Sequence, residues 1–160
     1  MKTKRLIATI ALGVMVALCV ATTAQAQNGN SIKRAIEGSW KAKVTVAPGP
    51  GAPPPVDALV TYSAGGGLVE SDNLFPPSVV TAGHGSWEYA GRSFNNTFVK
   101  LMFNAQGQPT GTIKVREKIT LGINRNEYTG AGVAELFDPA GNLLLSLPFT
   151  TQATRISVEP

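Results

Sequence analysis

Cysteine occurs once in these 160 residues, at position 19, and histidine once, at position 84. That pair cannot supply the ligand set of a usual zinc site, and a lone cysteine closes no internal disulfide. Charge is sparse, at 15% Asp, Glu, Lys and Arg, and aromatic residues make up 7%. The nucleophile elbow G-x-S-x-G, the phosphate-binding P-loop and the dinucleotide fingerprint are missing. The run AGGG at 64–67 lies between two β-like stretches, where it reads as a turn. No cofactor and no metal is expected. The one long hydrophobic run lies at the start and is shorter than the roughly 20 residues a membrane-spanning helix needs.

That run has the three zones of a signal peptide. Lys2, Lys4 and Arg5 precede an apolar stretch over 6–20 broken only by Thr9 and Gly13, and Ala24-Gln25-Ala26 fits the A-x-A cleavage rule. The pattern predicts that residues 1–26 are removed and that the product is exported, to the periplasm or outside the cell. Leu18 precedes Cys19, where a lipoprotein signal would carry a small residue, so a lipid anchor is not expected. Cleavage removes the only cysteine, so the mature chain depends on its core, and roughly 130 residues suffice to bury one. It also removes three of the 14 Lys+Arg and none of the 10 Asp+Glu, leaving 11 − 10 = +1. A near-neutral mature chain has no electrostatic footprint for nucleic acid or an anionic membrane. No transmembrane segment is expected in it.

Residues 27–37 form an N-terminal segment in which 31–37 (SIKRAIE) predicts a short helix, with Ser31 as N-cap and Gly38 as the stop. From 38 to 160 the chain is β-like. Alternation and β-branched or aromatic content predict strands at 40–46, 58–63, 68–72, 85–89, 93–103, 110–121, 128–137 and 143–158. Turn chemistry fills the later gaps, NAQGQP at 104–109, GINRNE at 122–127 and DPAGN at 138–142. Four consecutive long strands joined by tight turns make a meander, and eight such strands protect their edges best by closing. An all-β, closed or nearly closed antiparallel up-and-down barrel is expected, with a Greek-key sandwich as the rival. Two segments interrupt it. APGPGAPPPV at 47–56 is too proline-rich to pair in a sheet. NLFPPSVVTAGH at 73–84 keeps Phe75, Val79 and Val80 beside His84, and reads as a plug over the core or a lid over a ligand.

At Gly38-Ser39-Trp40 the chain passes from the short helix into the first strand, and Arg155 falls near the end of the last one. This resembles the G-x-W signature of the calycin group, which includes lipocalins and fatty-acid-binding proteins. The resemblance implies a Trp40 at the barrel base capped by Arg155, and a ligand in the interior. Eight-stranded barrels similar to the allene oxide cyclase group are the alternative. Independently of family, a guanidinium on an indole face is worth roughly 0.5–2 kcal/mol and would tie the first strand to the last.

Trp87 and Tyr89 alternate with Ser86 and Glu88, so both aromatics share one face, as core packing or as a ligand wall. Strand 110–121 is the most informative. Its even positions are polar, and its odd positions read Ile113, Val115, Glu117, Ile119 and Leu121. Glu117 therefore falls in an apolar face, where a carboxylate must pair, protonate or meet water in a cavity. Gly130, Ala131 and Gly132 are expected beside it, and small residues next to an inward carboxylate leave space. A structural ion pair or hydrogen bond, with Arg155 or a tyrosine, is the plain alternative. Glu135 also interrupts an apolar stretch, and its face is left open.

Three functions are compatible with this. The leading one is an exported barrel binding a small, mostly apolar molecule, with Glu117, Tyr128, Phe98, Trp87, Tyr89 and Phe149 as contacts. Val115, Ile119, Leu145 and Leu147 would complete the wall. The second is a filled barrel acting through its outer surface as an envelope-associated module. The third is a cyclase or isomerase in which Glu117, His84 and Tyr128 exchange protons within one cavity.

Overall fold

Alternation of inward apolar and outward polar residues organises the sheet. The computed structural model describes residues 32–49 and 51–160. Eight strands follow in chain order: β1 Gly38–Val46, β2 Val56–Tyr62, β3 Gly67–Asp72, β4 Gly83–Tyr89, β5 Phe94–Phe103, β6 Pro109–Leu121, β7 Glu127–Phe137 and β8 Leu143–Arg155. Each pairs antiparallel with its neighbours in sequence, and β1 also pairs with β8, from Trp40 opposite Arg155 to Val46 opposite Phe149. The sheet is thus a closed up-and-down barrel without an edge strand. The unit that carries it runs from Ile36 to Pro160.

The turns follow from their side chains. In the β5–β6 turn Asn104 Oδ1 accepts from the backbone N–H groups of Gln106 and Gln108, and Gly107 takes a positive φ of 73°. In the β7–β8 turn Asp138 does the same for Asn142 N at 2.8 Å. Strand β4 starts two residues earlier than the alternation predicts, so His84 lies within it and the β3–β4 connection covers 73–82. Strand β8 ends at Arg155, three residues short of the expected 158.

The signal-peptide reading of 1–26 and the expected helix start at Ser31 lie outside the described residues. Residues 32 and 33 are helical and 34–36 form a turn.

The odd strands begin at one end of the barrel and the even strands at the other. At the first end Trp40, Tyr62, Ile36 and Ile119 are almost wholly buried. Trp40 and Tyr128 pack there with tilted rings, centroids 4.9 Å apart, and Tyr62 meets Trp87 edge-on at 6.3 Å. This end is packed shut. At the other end, the mouth, Leu143, Leu144 and Leu145 stay exposed.

Candidate functional site

Between the aromatic floor and the mouth the barrel encloses a cavity of about 400 Å³. That volume is in the range of small-molecule sites, and eight strands leave room inside for one small ligand. Its upper wall is apolar, built from Val44 and Val46 of β1, Val115 of β6, Ala134 and Leu136 of β7, and Leu145, Leu147 and Phe149 of β8. Gly51, Pro53, Leu74 and Phe75 of the two long connections complete the mouth.

Inward-facing polar residues interrupt this wall at two levels. Nearer the mouth, Lys100 of β5 lies with its Nζ 2.7 Å from Glu70 Oε2 and 2.5 Å from Asp72 Oδ2, both on β3. Glu70 and Lys100 are each 4% exposed. Desolvation pushes the Glu70 carboxyl up to about 7, against the pull of Lys100.

The lower level surrounds Glu117. Its directly paired residues are Asn96 on β5 and Gly132 on β7. Asn96 Nδ2 donates to Glu117 Oε2 at 2.9 Å and to the Tyr62 hydroxyl at 3.1 Å. Both amide hydrogens are thereby used, and Asn96 Oδ1 is left buried without a partner among the described residues. Glu117 Oε1 and Thr151 Oγ1 also lack a well-formed hydrogen bond among the described residues. Burial raises the Glu117 carboxyl above its ordinary value, while Asn96 and Thr151 pull the other way. Burial, then Tyr128 and Glu117, lift the Tyr62 phenol well above its ordinary value, so it stays protonated at any physiological pH. Burial raises Tyr128 likewise.

Glycine makes the space. A Cβ at Gly130 would collide with Glu117 Oε1, and a Cβ at Gly132 would sit 2.7 Å from Phe149 Cζ. Gly130 is paired with Thr151, so its missing side chain leaves the carboxylate and the threonine hydroxyl facing one another across β7.

The residues named from the sequence divide into three groups. Glu117, Tyr128, Phe98 and Phe149 line the cavity, as do Val115, Leu145 and Leu147. Trp87 and Tyr89 stand instead in the aromatic cluster of the closed end, each packed on Phe94, while Ile119 is wholly buried there. Trp87 Nε1 donates to Ser63 O at 3.0 Å. Trp40 lies under the Arg155 guanidinium, 4.2 Å from ring centroid to Cζ, and its Nε1 donates to Ile36 O at 2.9 Å. Arg155 donates to Glu37 O and, through Nε and Nη2, to Arg125 O.

The 73–84 segment is similarly divided. Phe75 reaches the mouth, whereas Val80 forms a bridge with Met102 and Val79 O accepts from Phe103 N, pinning that half of the connection along β5. His84 is exposed on the outer face of β4, between Val69 and Val99. Glu117 and Tyr128 therefore share the cavity and His84 does not. Glu135 faces outward and pairs with Arg116 at 2.6 Å.

Six polar lining residues went unnamed in the sequence reading: Tyr62, Glu70, Asp72, Asn96, Lys100 and Thr151. The parity rule that singled out Glu117 also finds Asn96 and Lys100, in register with Phe94 and Phe98, and Glu70 and Asp72, in register with Leu68.

A second depression of about 690 Å³ lies against outward-facing Lys41, Lys43, Thr129, Gln152 and Thr154. Its ionic contact, Lys43 with Asp57 at 3.3 Å, is between exposed side chains. The interior, with its buried and unpartnered polar atoms, is the stronger site.

Fold and site together define a hollow antiparallel barrel, closed and aromatic at one end, with polar groups set deep in an apolar cavity. No family model, curated protein or solved structure matches the chain.

Proposed function

We propose that this chain is an exported, calycin-like barrel that holds one small, mostly apolar molecule in its interior. The observation that carries the reading is the cavity of about 400 Å³, with a largely apolar wall interrupted by buried polar side chains, some of whose atoms lack partners among the described residues. A void of that size leaves its lining without contacts on one side, which a bound molecule would restore. A few placed polar groups in an apolar pocket are the usual means of orienting such a ligand. The calycin-like part of the reading rests on Gly38-Ser39-Trp40 at the start of β1 and on Arg155 stacked over Trp40. Export rests on the signal-like pattern of residues 1–26.

Titration of the purified protein with N-phenylnaphthylamine, a neutral probe that brightens in apolar surroundings, tests the reading. Saturable enhancement at one probe per chain is expected. A flat titration would count against an occupied interior.

A further inference from the structure

We infer that the molecule held in the barrel is a lipophilic amine, its ammonium group seated against Glu117, Asn96 and Thr151 and its apolar body along the upper wall. The inference rests on the ligand-binding reading and names the chemical class that the cavity selects.

Charge balance is the first argument. The charged residues lining the cavity are Glu70, Asp72, Glu117 and Lys100, which is three carboxyls and one cation. Lys100 is already held between Glu70 and Asp72. Glu117, 9% exposed, has no cationic partner among the described residues, and its interior neighbours are an amide, a threonine and two tyrosines. Burial favours the neutral form of Glu117, and a ligand cation would supply the counter-charge that its ionised form needs.

Hydrogen-bond polarity gives the second argument. Glu117 Oε1 and Asn96 Oδ1 are acceptors, and the Thr151 hydroxyl can accept. A primary ammonium carries three donors and no acceptor, which suits a site whose inward polar atoms can all accept. A carboxylate head is the reverse case. It would bring a fourth acid among three and offer no donor to any of these atoms. An alcohol supplies one donor and no charge, so it ranks between the two.

Geometry gives the third. Asn96 fixes Glu117 through Oε2, leaving Oε1 directed over Gly130 toward the Thr151 side. The three atoms are set by three adjacent paths through the sheet, β5 with β6, β6 with β7, and β7 with β8. The register therefore holds the three side chains on the inner face of neighbouring strands.

Displacement of bound N-phenylnaphthylamine by decylamine, decanol and decanoic acid at neutral pH, three molecules with one tail and different heads, decides the matter. Decylamine should bind at least about tenfold more tightly than decanol, with decanoic acid weakest, a gap that corresponds to about 1.4 kcal/mol. The amine's advantage should vanish in Glu117→Gln, which keeps the shape, and persist in Glu135→Gln on the outer face. Equal or tighter binding of decanol or decanoic acid would overturn the amine assignment while leaving the cavity reading intact. An amine preference unchanged in Glu117→Gln would overturn the seat. Failure of the probe and of every decyl compound to bind would remove the cavity reading, and the inference with it.

Discussion

A carboxyl buried in a barrel wall is a stability term as well as a recognition group. Desolvation holds Glu70 near 7, above its ordinary 4.5, and raises Glu117 in the same direction. A carboxyl with a higher pKa in the folded chain than in the unfolded one binds its proton more tightly when folded. Its contribution is present in full below about 4.5 and is lost as pH rises toward about 7, after which it is flat. Urea unfolding should therefore give a larger unfolding free energy near pH 5 than near pH 8, by a few kcal/mol at most once Lys100 is counted. Glu70→Gln should flatten much of that slope, and a profile as steep as that of the unaltered chain would refute the assignment. Legibility at this scale was uneven. Glu117 announced itself because its strand alternates cleanly over a dozen residues. Asn96 and Lys100 obey the same parity on β5, but polar Asn95 and Thr97 flank the first and apolar Val99 and Leu101 flank the second, so neither stands out from its neighbours as Glu117 does. The ion pairing of Glu70 with Lys100 joins β3 to β5, and no local pattern specifies a partner two strands away.

Pairing of β1 with β8 converts a meander into a barrel, and Arg155 secures that seam. Its guanidinium stacks on Trp40, donates to Glu37 O and reaches Arg125 O in the β6–β7 turn. A planar fork can make all these contacts at once, and a lysine ammonium cannot. Arg155→Lys should accordingly cost about 1–3 kcal/mol in urea unfolding, through lost charge-assisted bonds and stacking. Arg116→Met is the control, since its ion pair with Glu135 is surface-exposed on the arginine side and is worth about 0–1 kcal/mol. Similar losses in both variants would deny Arg155 its special position. The elements themselves were the most legible part. Long alternating runs, Asn and Asp turn residues and short links leave few arrangements other than a closed meander, and the strands fall within a few residues of expectation. The β3–β4 connection was less legible. Val79 and Val80 look like a free apolar flap in sequence, but backbone bonds to Leu101 and Phe103 hold that half of the segment to β5. Such bonds depend on the neighbouring strand and leave no trace in side-chain order.

Across the barrel as a whole, packing is divided between its ends. Trp40, Tyr62, Ile36 and Ile119 fill the closed end almost completely, whereas Leu145 at the mouth is 46% exposed and lines an empty space. A core optimised for stability alone would fill that volume, because a void forfeits dispersion contacts along its whole lining. Keeping it open is intelligible if stability is traded for binding, the usual exchange at functional sites. The trade can be reversed with one residue. Ala134 sits between Val115 and Leu147 in the sheet register and lines the cavity one inward position beyond Gly132, the partner of Glu117. Ala134→Leu adds three carbons at about 0.8 kcal/mol each, less the entropy of ordering the side chain, for a net gain of about 1–2 kcal/mol. The expected result is a higher melting temperature together with at least tenfold weaker binding of N-phenylnaphthylamine, about 1.4 kcal/mol or more. Destabilisation would mean that the wall around Ala134 is already full. Stabilisation without loss of probe binding would place the probe outside the barrel, and the hollow interior would lose its claim to be the binding site.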